Sequence, residues 1–333
     1  MTIHTKPINL FYEEPEEDRW LSFDRYPRAF IRRIVRGKPK IGGQKRVFLN
    51  LCAGLDRLGI SYRVNDYRYI QRHPQEVACI IGKTHVLDKI AWKNPILFGA
   101  AVFSHPCDDP QIFNRLPVKK ILVPGEWMRK MCEPDYSDCV LAWPVGIDTD
   151  EWTLTPIEQK DIDFLVYDKV RWEHSKFERE LITPIQSHLQ AQGLSVATIR
   201  YGFYKEEEFR ALLNRSKAMI FLCEHETQGI AYQQALSCGV PILAWDRGGF
   251  WQDPSYFPDK VKFSPVSSVP YWDHRCGIKF NDTTDFFPKL QDFLDILNRK
   301  QFAPRDYILE NLTLEISAQK YIQILNAVQE SLR

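Results

Sequence analysis

The feature that most constrains the fold of this chain is an alternation of short, continuously apolar runs with segments of helical periodicity. Runs such as VACII at 77–81 and AMIFL at 218–222 are too short for typical helices. Strands buried on both faces show such runs, because a parallel sheet is covered by helices on either side. The sequence therefore predicts an α/β fold with parallel sheets.

Two such arrays follow each other along the 333 residues, a length that exceeds the roughly 100–200 residues of one domain. The polar stretch 153–161 separates them. We expect two Rossmann-like domains, at 1–150 and 151–313, that face each other across a cleft. The predicted strands lie at 8–12, 62–64, 77–81, 96–103, 121–123 and 140–143, and then at 164–167, 195–201, 218–222, 241–245 and 261–263.

Composition favours an ordinary globular protein and a reducing compartment. The 44 basic and 43 acidic residues leave a formal net charge of +1, so any electrostatic argument must be local. The eight cysteines form no CxxC pair and are expected to be free thiols. No apolar stretch is long enough for a signal peptide or a transmembrane helix, so we expect a cytoplasmic chain.

The segment 218–249 carries the strongest functional signal. It is predicted to form a strand, a polar loop, a helix that starts at Gly229, a tight turn, a second strand and a loop with Gly248 and Gly249. A helix N-terminus offers free N–H groups and partial positive charge, which suit a diphosphate. Either glycine loop alone is explained by turns and caps, but two on consecutive strands favour ligand binding.

This segment resembles the retaining glycosyltransferases of family 4, which have the two-domain GT-B fold. The family shows E-G-F-G before a helix with E-A-x-A-x-G-x-P and then a G-G loop. Here the chain has Glu226-Thr227-Gln228-Gly229, a helix with QALSCGVP from Gln234, and Gly248-Gly249. The second glutamate of the family's E-x7-E pair is replaced by Gln234, whose amide still accepts and donates hydrogen bonds.

Further segments resemble the family in the same order along the chain. They are a Gly42-Gly43 loop before a helix, a PVGID segment at 144–148, and Tyr201-Gly202 before a predicted helix at 206–215. The resemblance also implies that the last helix, 314–332, returns to the first domain. An apolar stripe with Tyr321 and Leu325 gives that helix a face in need of a partner.

The resemblance implies a sugar transfer from a nucleotide-sugar donor, with retention and without a metal. Glu226 and His105 are the candidate catalytic residues. The predicted donor-binding residues, with their cations first, are Lys169, Arg171, Lys176, Gly202, Thr227, Gln228, Gly229, Ile230, Gln234, Gly248 and Gly249. Cations can stabilise the leaving diphosphate, and no DxD metal signature comes directly after the end of a predicted strand. For His105, a plain loop histidine is an equal alternative.

The first half is expected to bind a glycan or lipid-linked acceptor. Between Arg25 and Arg46 lie nine basic residues and no acid, with apolar residues at helical spacing. This segment is either a peripheral contact with the inner face of a membrane or a solvated face paired with the acidic residues at 13–18. No stacking aromatics or known module accompany the charge, so nucleic acid is not an expected partner.

Two other functions stay open at the level of sequence. A sugar-nucleotide epimerase of the same fold would release its product without any acceptor. A pseudo-transferase would bind a nucleotide sugar without catalysis, an alternative that Gln234 in place of glutamate suggests.

Overall fold

The computed structural model describes residues 6–14, 42–100, 103–156 and 159–333. Contacts divide the chain into two compact units. The first unit holds residues 1–124, 132–143 and 317–333, and the second holds residues 125–131 and 144–316. The main change from the first unit to the second lies between residues 143 and 144, whereas the sequence predicts a boundary at 150. Of the basic segment between Arg25 and Arg46, residues 25–41 lie outside the described residues.

Each unit contains one wholly parallel sheet. The strands are β1 Ile8–Phe11, β2 Tyr62–Val64, β3 Ala78–Ile80, β4 Ile96–Gly99, β5 Val118–Val123 and β6 Val140–Ala142 in the first unit, and β7 Ile162–Asp168, β8 Val196–Arg200, β9 Ser216–Leu222, β10 Ile242–Trp245 and β11 Gly277–Phe280 in the second. The strand orders are β2-β1-β3-β4-β5-β6 and β11-β10-β9-β7-β8. The α/β class with two Rossmann-like sheets is therefore confirmed.

Helices alternate with these strands. They are α1 Gly43–Arg57, α2 Tyr67–Arg72, α3 Ile112–Arg115, α4 Glu126–Tyr136, α5 His174–Phe177, α6 Thr183–Ala191, α7 Glu206–Arg215, α8 Ile230–Ser237, α9 Thr283–Asn298, α10 Pro304–Asn311 and α11 Leu314–Glu330. A π-helical turn, Glu178–Ile182, joins α5 to α6. The buried residues of α1 include Val47, Leu51 and Leu55, which are four apart and so share one face.

The second sheet is buried on both faces, which explains its continuous apolar runs. Along β7, Leu165 and Tyr167 belong to one apolar cluster with residues of α7, α8 and α10. Their neighbours Phe164 and Val166 belong to a second cluster with residues of α6 and α9. Because successive side chains of a strand point to opposite faces, the two clusters cover opposite sides of the sheet.

The C-terminal helix α11 contributes to the core of the first unit from Ser317 onward. The buried rings of Trp143 and Tyr321 lie 5.0 Å apart between centroids, edge to face. The indole N–H of Trp143 donates to the carbonyl of Ser317 at 3.0 Å. Among the described residues, α11 included, no helix is both long and apolar enough to cross a membrane.

The strand predicted at 261–263 is wrong. The backbone N–H of Val261 donates to the carbonyl of Tyr256 at 3.1 Å, so this segment folds back on its own loop rather than pairing with the sheet. The fifth strand is instead β11, which pairs parallel with β10. Its sequence, GIKF, has only two large apolar residues. A strand at the edge of a sheet can form without the continuous apolar run of a central strand, so this segment gave no clear strand signal.

Candidate functional site

The candidate site lies at the carboxyl edge of the second sheet. The strands β8, β7, β9 and β10 are neighbours and run parallel, so the loops that follow them emerge at the same edge. These loops carry Tyr201, Lys169, Glu226 and Arg247, one after each of the four strands in that order. Residues far apart in sequence are thereby brought into one cluster.

Lys169 and Glu226 form an ion pair at the centre of this cluster. The ammonium Nζ of Lys169 donates to Oε1 of Glu226, and the two side chains are 12% and 10% exposed. The Lys169 ammonium also lies 4.3 Å from the centroid of the Tyr201 ring. Burial lowers the pKa of Lys169, but Glu226, together with smaller contributions from Cys223 and Tyr201, more than offsets burial and leaves that pKa above its usual value. Lys169 therefore carries its positive charge at neutral pH.

A buried carboxylate, Glu224, holds the loop that carries the cations. Its Oε1 accepts the backbone N–H groups of Arg171 at 2.8 Å and Trp172 at 2.9 Å. At the start of the loop, Oδ1 of Asp168 accepts the N–H of Val170 at 3.1 Å. These side-chain acceptors fix the backbone of the loop.

Arg171 is anchored against His225. Its Nη2 donates to the backbone carbonyl of His225 at 3.1 Å and lies 3.4 Å from the ring Nδ1. Burial, then the charges of Arg171, Arg247 and Lys169, lowers the pKa of His225 to about 3, so the ring is neutral at pH 7. A guanidinium only donates, so Nδ1 is the acceptor and Nε2 carries the proton.

The helix α8 begins at Gly229 with a backbone that only glycine fits. Its φ is +82°, and a Cβ added there would lie 2.0 Å from Cε1 of Tyr232. Ile230 is the first residue of the helix and is half-buried. The Gly229 turn thus places the free N–H groups of the helix start beside the loop of Glu226.

Gln228 and Thr227, both predicted to bind the donor, are packed into the second unit. The Gln228 amide accepts the N–H of Val145 at 2.9 Å and donates to the Val145 carbonyl at 3.0 Å and to Oε1 of Gln233 at 2.9 Å. The carbonyl of Thr227 lies 2.5 Å from where a Cβ would stand on Gly125. The structure therefore uses the Gln228 side chain to hold the loop.

Gln234 and the Gly248-Gly249 loop belong to the elements that follow β9 and β10. Gln234 lies on α8 and is buried, 6% exposed. Gly248 and Gly249 follow β10 with φ of +63° and +80°, and nothing lies within 4 Å of a Cβ built on either. Arg247 precedes them, with its guanidinium 4.9 Å from the Trp245 ring and bonded to Oε1 of Gln252 at 2.5 Å. This loop leaves open space beside a cation.

The other predicted residues lie in different surroundings. Lys176 pairs with Glu173 at 3.7 Å, and both side chains are exposed. Gly202 follows β8 with a φ of +86° in open space. His105 belongs to the first unit, where its Nδ1 accepts the N–H of Cys107 at 3.1 Å and caps the short turn Pro106–Asp108. Burial lowers the pKa of His105 against the raising charges of Asp135 and Asp108.

Sequence reasoning missed four residues of the cluster. Asp168 and Glu224 shape the cation loop, and Arg247 adds a third cation. Arg247 stands inside the recognised loop before Gly248, so that signal was available. Trp127, whose indole N–H donates to the Glu226 carbonyl at 2.7 Å, comes from 99 positions away and had no local signal.

The cluster combines cations with carboxylates. The charges of three cations, Lys169, Arg171 and Arg247, act on the ring of His225, and such cations can meet an anionic group. The carboxylate of Glu226 can accept hydroxyl hydrogen bonds. Within the described ranges, no three His, Cys, Asp or Glu residues are grouped so as to hold a metal ion.

In a comparison with known proteins, the part of the chain that matches a family lies within the second unit. Residues 178–252 match the family glycosyl transferases group 1. Sucrose-phosphate synthase from Thermosynechococcus elongatus is similar in structure, with a TM-score of 0.57 and 10% identity over 98% of this chain and 100% of that one. AviGT4, a glycosyltransferase involved in avilamycin A biosynthesis, has a TM-score of 0.55 and 13% identity over 97% of this chain and 98% of that one. No curated protein sequence matches the chain.

A third solved structure, WaaG, a glycosyltransferase involved in lipopolysaccharide biosynthesis, gives a TM-score of 0.50 and 11% identity over 86% of this chain and 97% of that one. The chain spans only 55% and 60% of the length of two larger structures that it also matches. The fold that the chain shares with these structures is the GT-B fold. The match to glycosyl transferases group 1 covers residues 178–252.

Proposed function

We propose that this chain transfers a sugar from a nucleotide-sugar donor to an acceptor hydroxyl, with the donor at the carboxyl edge of the second sheet. The observation that carries the proposal is the contact between Lys169 and Glu226 beside the start of α8. A cation for a diphosphate and a carboxylate for sugar hydroxyls then lie in one cluster, near a helix N-terminus that favours phosphate.

In this proposal Lys169, Arg171 and Arg247 stabilise the diphosphate as it leaves with growing negative charge. Glu226 orients the hydroxyls of the sugar and stabilises positive charge on its ring. Gln234 binds the ribose through its amide. Transfer in this proposal proceeds with retention, as the family resemblance implies. It needs no metal, because the cations of the loops can supply the charge that a divalent ion supplies elsewhere.

The acceptor in this proposal is a glycan or a lipid-linked glycan held by the first unit. Contact of the segment between Arg25 and Arg46 with a membrane surface stays a prediction, since residues 25–41 lie outside the described part of the chain. A cytoplasmic location is likewise part of the proposal.

The test is to incubate the protein with UDP-, GDP- and ADP-sugars, each with and without a panel of glycan and lipid-linked acceptors, and to analyse the products by mass spectrometry and NMR. We expect an acceptor-dependent product whose anomeric configuration matches that of the donor. An epimerised sugar nucleotide formed without acceptor would favour the epimerase instead, and binding of a nucleotide sugar without turnover would favour a pseudo-transferase.

A second arm of the same assay adds EDTA. We expect the rate to stay unchanged. Loss of activity with EDTA and its recovery with Mn²⁺ would contradict the metal-independent part of the proposal while leaving glycosyl transfer intact.

A further inference from the structure

The ion pair between Lys169 and Glu226 joins the two charged groups that the proposed donor would use. The Lys169 ammonium lies between the Glu226 carboxylate and the face of Tyr201. Oε1 of Glu226 is also 3.7 Å from Sγ of Cys223, a weak donor. Both charged side chains are about nine-tenths buried, so water screens their attraction poorly.

We infer that Glu226 makes the site select an intact nucleotide-sugar donor over the nucleoside diphosphate that remains after transfer. This inference rests on the proposed function. A diphosphate that draws the Lys169 ammonium toward itself competes with Glu226 for that ammonium. The freed carboxylate then needs new partners, because a buried charge whose partner is removed is strongly destabilising.

The two ligands differ in what they offer that carboxylate. A nucleotide sugar brings hydroxyl groups, which donate hydrogen bonds to Glu226 once Lys169 has turned to the diphosphate. A nucleoside diphosphate brings no such donor in that place, so Glu226 competes with it for Lys169. The same carboxylate therefore supports the donor and opposes the product.

This selection acts in the direction that turnover needs. When the sugar has left for the acceptor, Glu226 loses its hydroxyl partners and attracts Lys169 again. Re-formation of the pair weakens the hold on the nucleoside diphosphate and favours its release. No bond is made or broken in this step.

The test measures dissociation constants by calorimetry for three ligand pairs: UDP and UDP-glucose, GDP and GDP-mannose, and ADP and ADP-glucose. The pair that binds the wild-type protein is then measured on Glu226→Gln, on Lys169→Met/Glu226→Gln and on Glu207→Gln. Glu207 lies exposed on α7 and loses the same charge outside the cluster, which makes it the matched control. Thermal melts establish that each variant is folded.

We expect Glu226→Gln to bind the nucleoside diphosphate about 5- to 10-fold more tightly than wild type, with no such gain for the nucleotide sugar. The gain should disappear in the double variant and be absent in Glu207→Gln. A nucleoside diphosphate that binds Glu226→Gln no more tightly than wild type overturns the inference and leaves the proposed function standing. Failure of every ligand to bind the wild-type protein overturns both.

Discussion

The carboxylate of Glu224 holds the main chain of Arg171, through a hydrogen bond of 2.8 Å from the backbone N–H to Oε1. The same oxygen accepts the N–H of Trp172, and Glu224 is 2% exposed. A side chain that follows one strand thus fixes the loop that follows its neighbour. The positions of the cations in that loop depend on this contact.

Two substitutions of Glu224 separate the role of its acceptor oxygen from the role of its negative charge. Glu224→Leu leaves two backbone N–H groups without their acceptor, and each unsatisfied buried group costs about 1–3 kcal/mol. We expect the free energy of unfolding in urea to fall by about 2 kcal/mol or more and nucleoside diphosphate binding to weaken. Glu224→Gln keeps an acceptor oxygen and should stay close to wild type in both measurements. Equal losses in the two variants would show that the hydrogen bonds are not the role of Glu224.

Gly229 should be the most sensitive glycine of the donor segment. Gly229→Ala adds both a strained backbone and a methyl group that collides with the ring of Tyr232. Gly193 has a φ of +75° with nothing near a Cβ, so Gly193→Ala reports the backbone strain alone, about 1–2 kcal/mol. We expect Gly229→Ala to lose about 2 kcal/mol more unfolding free energy than this control, because overpacking costs about 1–3 kcal/mol. If Gly229→Ala and Gly193→Ala lose the same free energy of unfolding in urea, the methyl group does not collide with Tyr232.

The buried neutral state of His225 makes stability depend on pH. The folded pKa of about 3 is below the usual 6.5, so between these values the unfolded chain binds a proton that the folded chain does not. The contribution of His225 to stability is therefore present above pH 6.5 and is lost as the pH falls toward 3. Relative to His225→Asn, wild type should lose up to about 1.4 kcal/mol more unfolding free energy for each pH unit in this window. If the free energy of unfolding in urea changes equally with pH in the two proteins between pH 7 and 4, the ring is not buried in its neutral form.

Gln234 should tune binding of the donor rather than its turnover. Gln234→Glu restores the charge of the family pattern on the buried face of α8. The ribose is held alike before and during transfer, so the change should appear in KM for the donor while kcat stays within about twofold. Initial rates against donor concentration at saturating acceptor measure both. A large change in kcat with KM unaltered would place Gln234 nearer the reacting atoms.

The fold was largely predictable, because buried parallel strands leave short, continuously apolar runs such as those in β7 and β9. The edge strand β11 was not, since half of its short run is polar. Within the site, Glu226, Gly229 and Lys169 were predicted from motif and spacing, and the structure places Lys169 and Glu226 in contact. Gln228 was predicted to bind the donor, which stays a prediction, and its side chain holds Val145, a pairing across 83 positions that no local pattern indicates.

The measurement that tests the account most directly is kcat of Glu226→Gln with saturating donor and acceptor, beside wild type and Glu207→Gln. Glu226 is proposed to stabilise charge that exists only in the transition state, so its loss should lower kcat by about 10²–10³-fold, as for other preorganised polar groups. Glu207→Gln should keep its rate, and the thermal melts should show all three proteins folded. Near-normal turnover by folded Glu226→Gln would remove Glu226 from the mechanism and with it the assignment of the site.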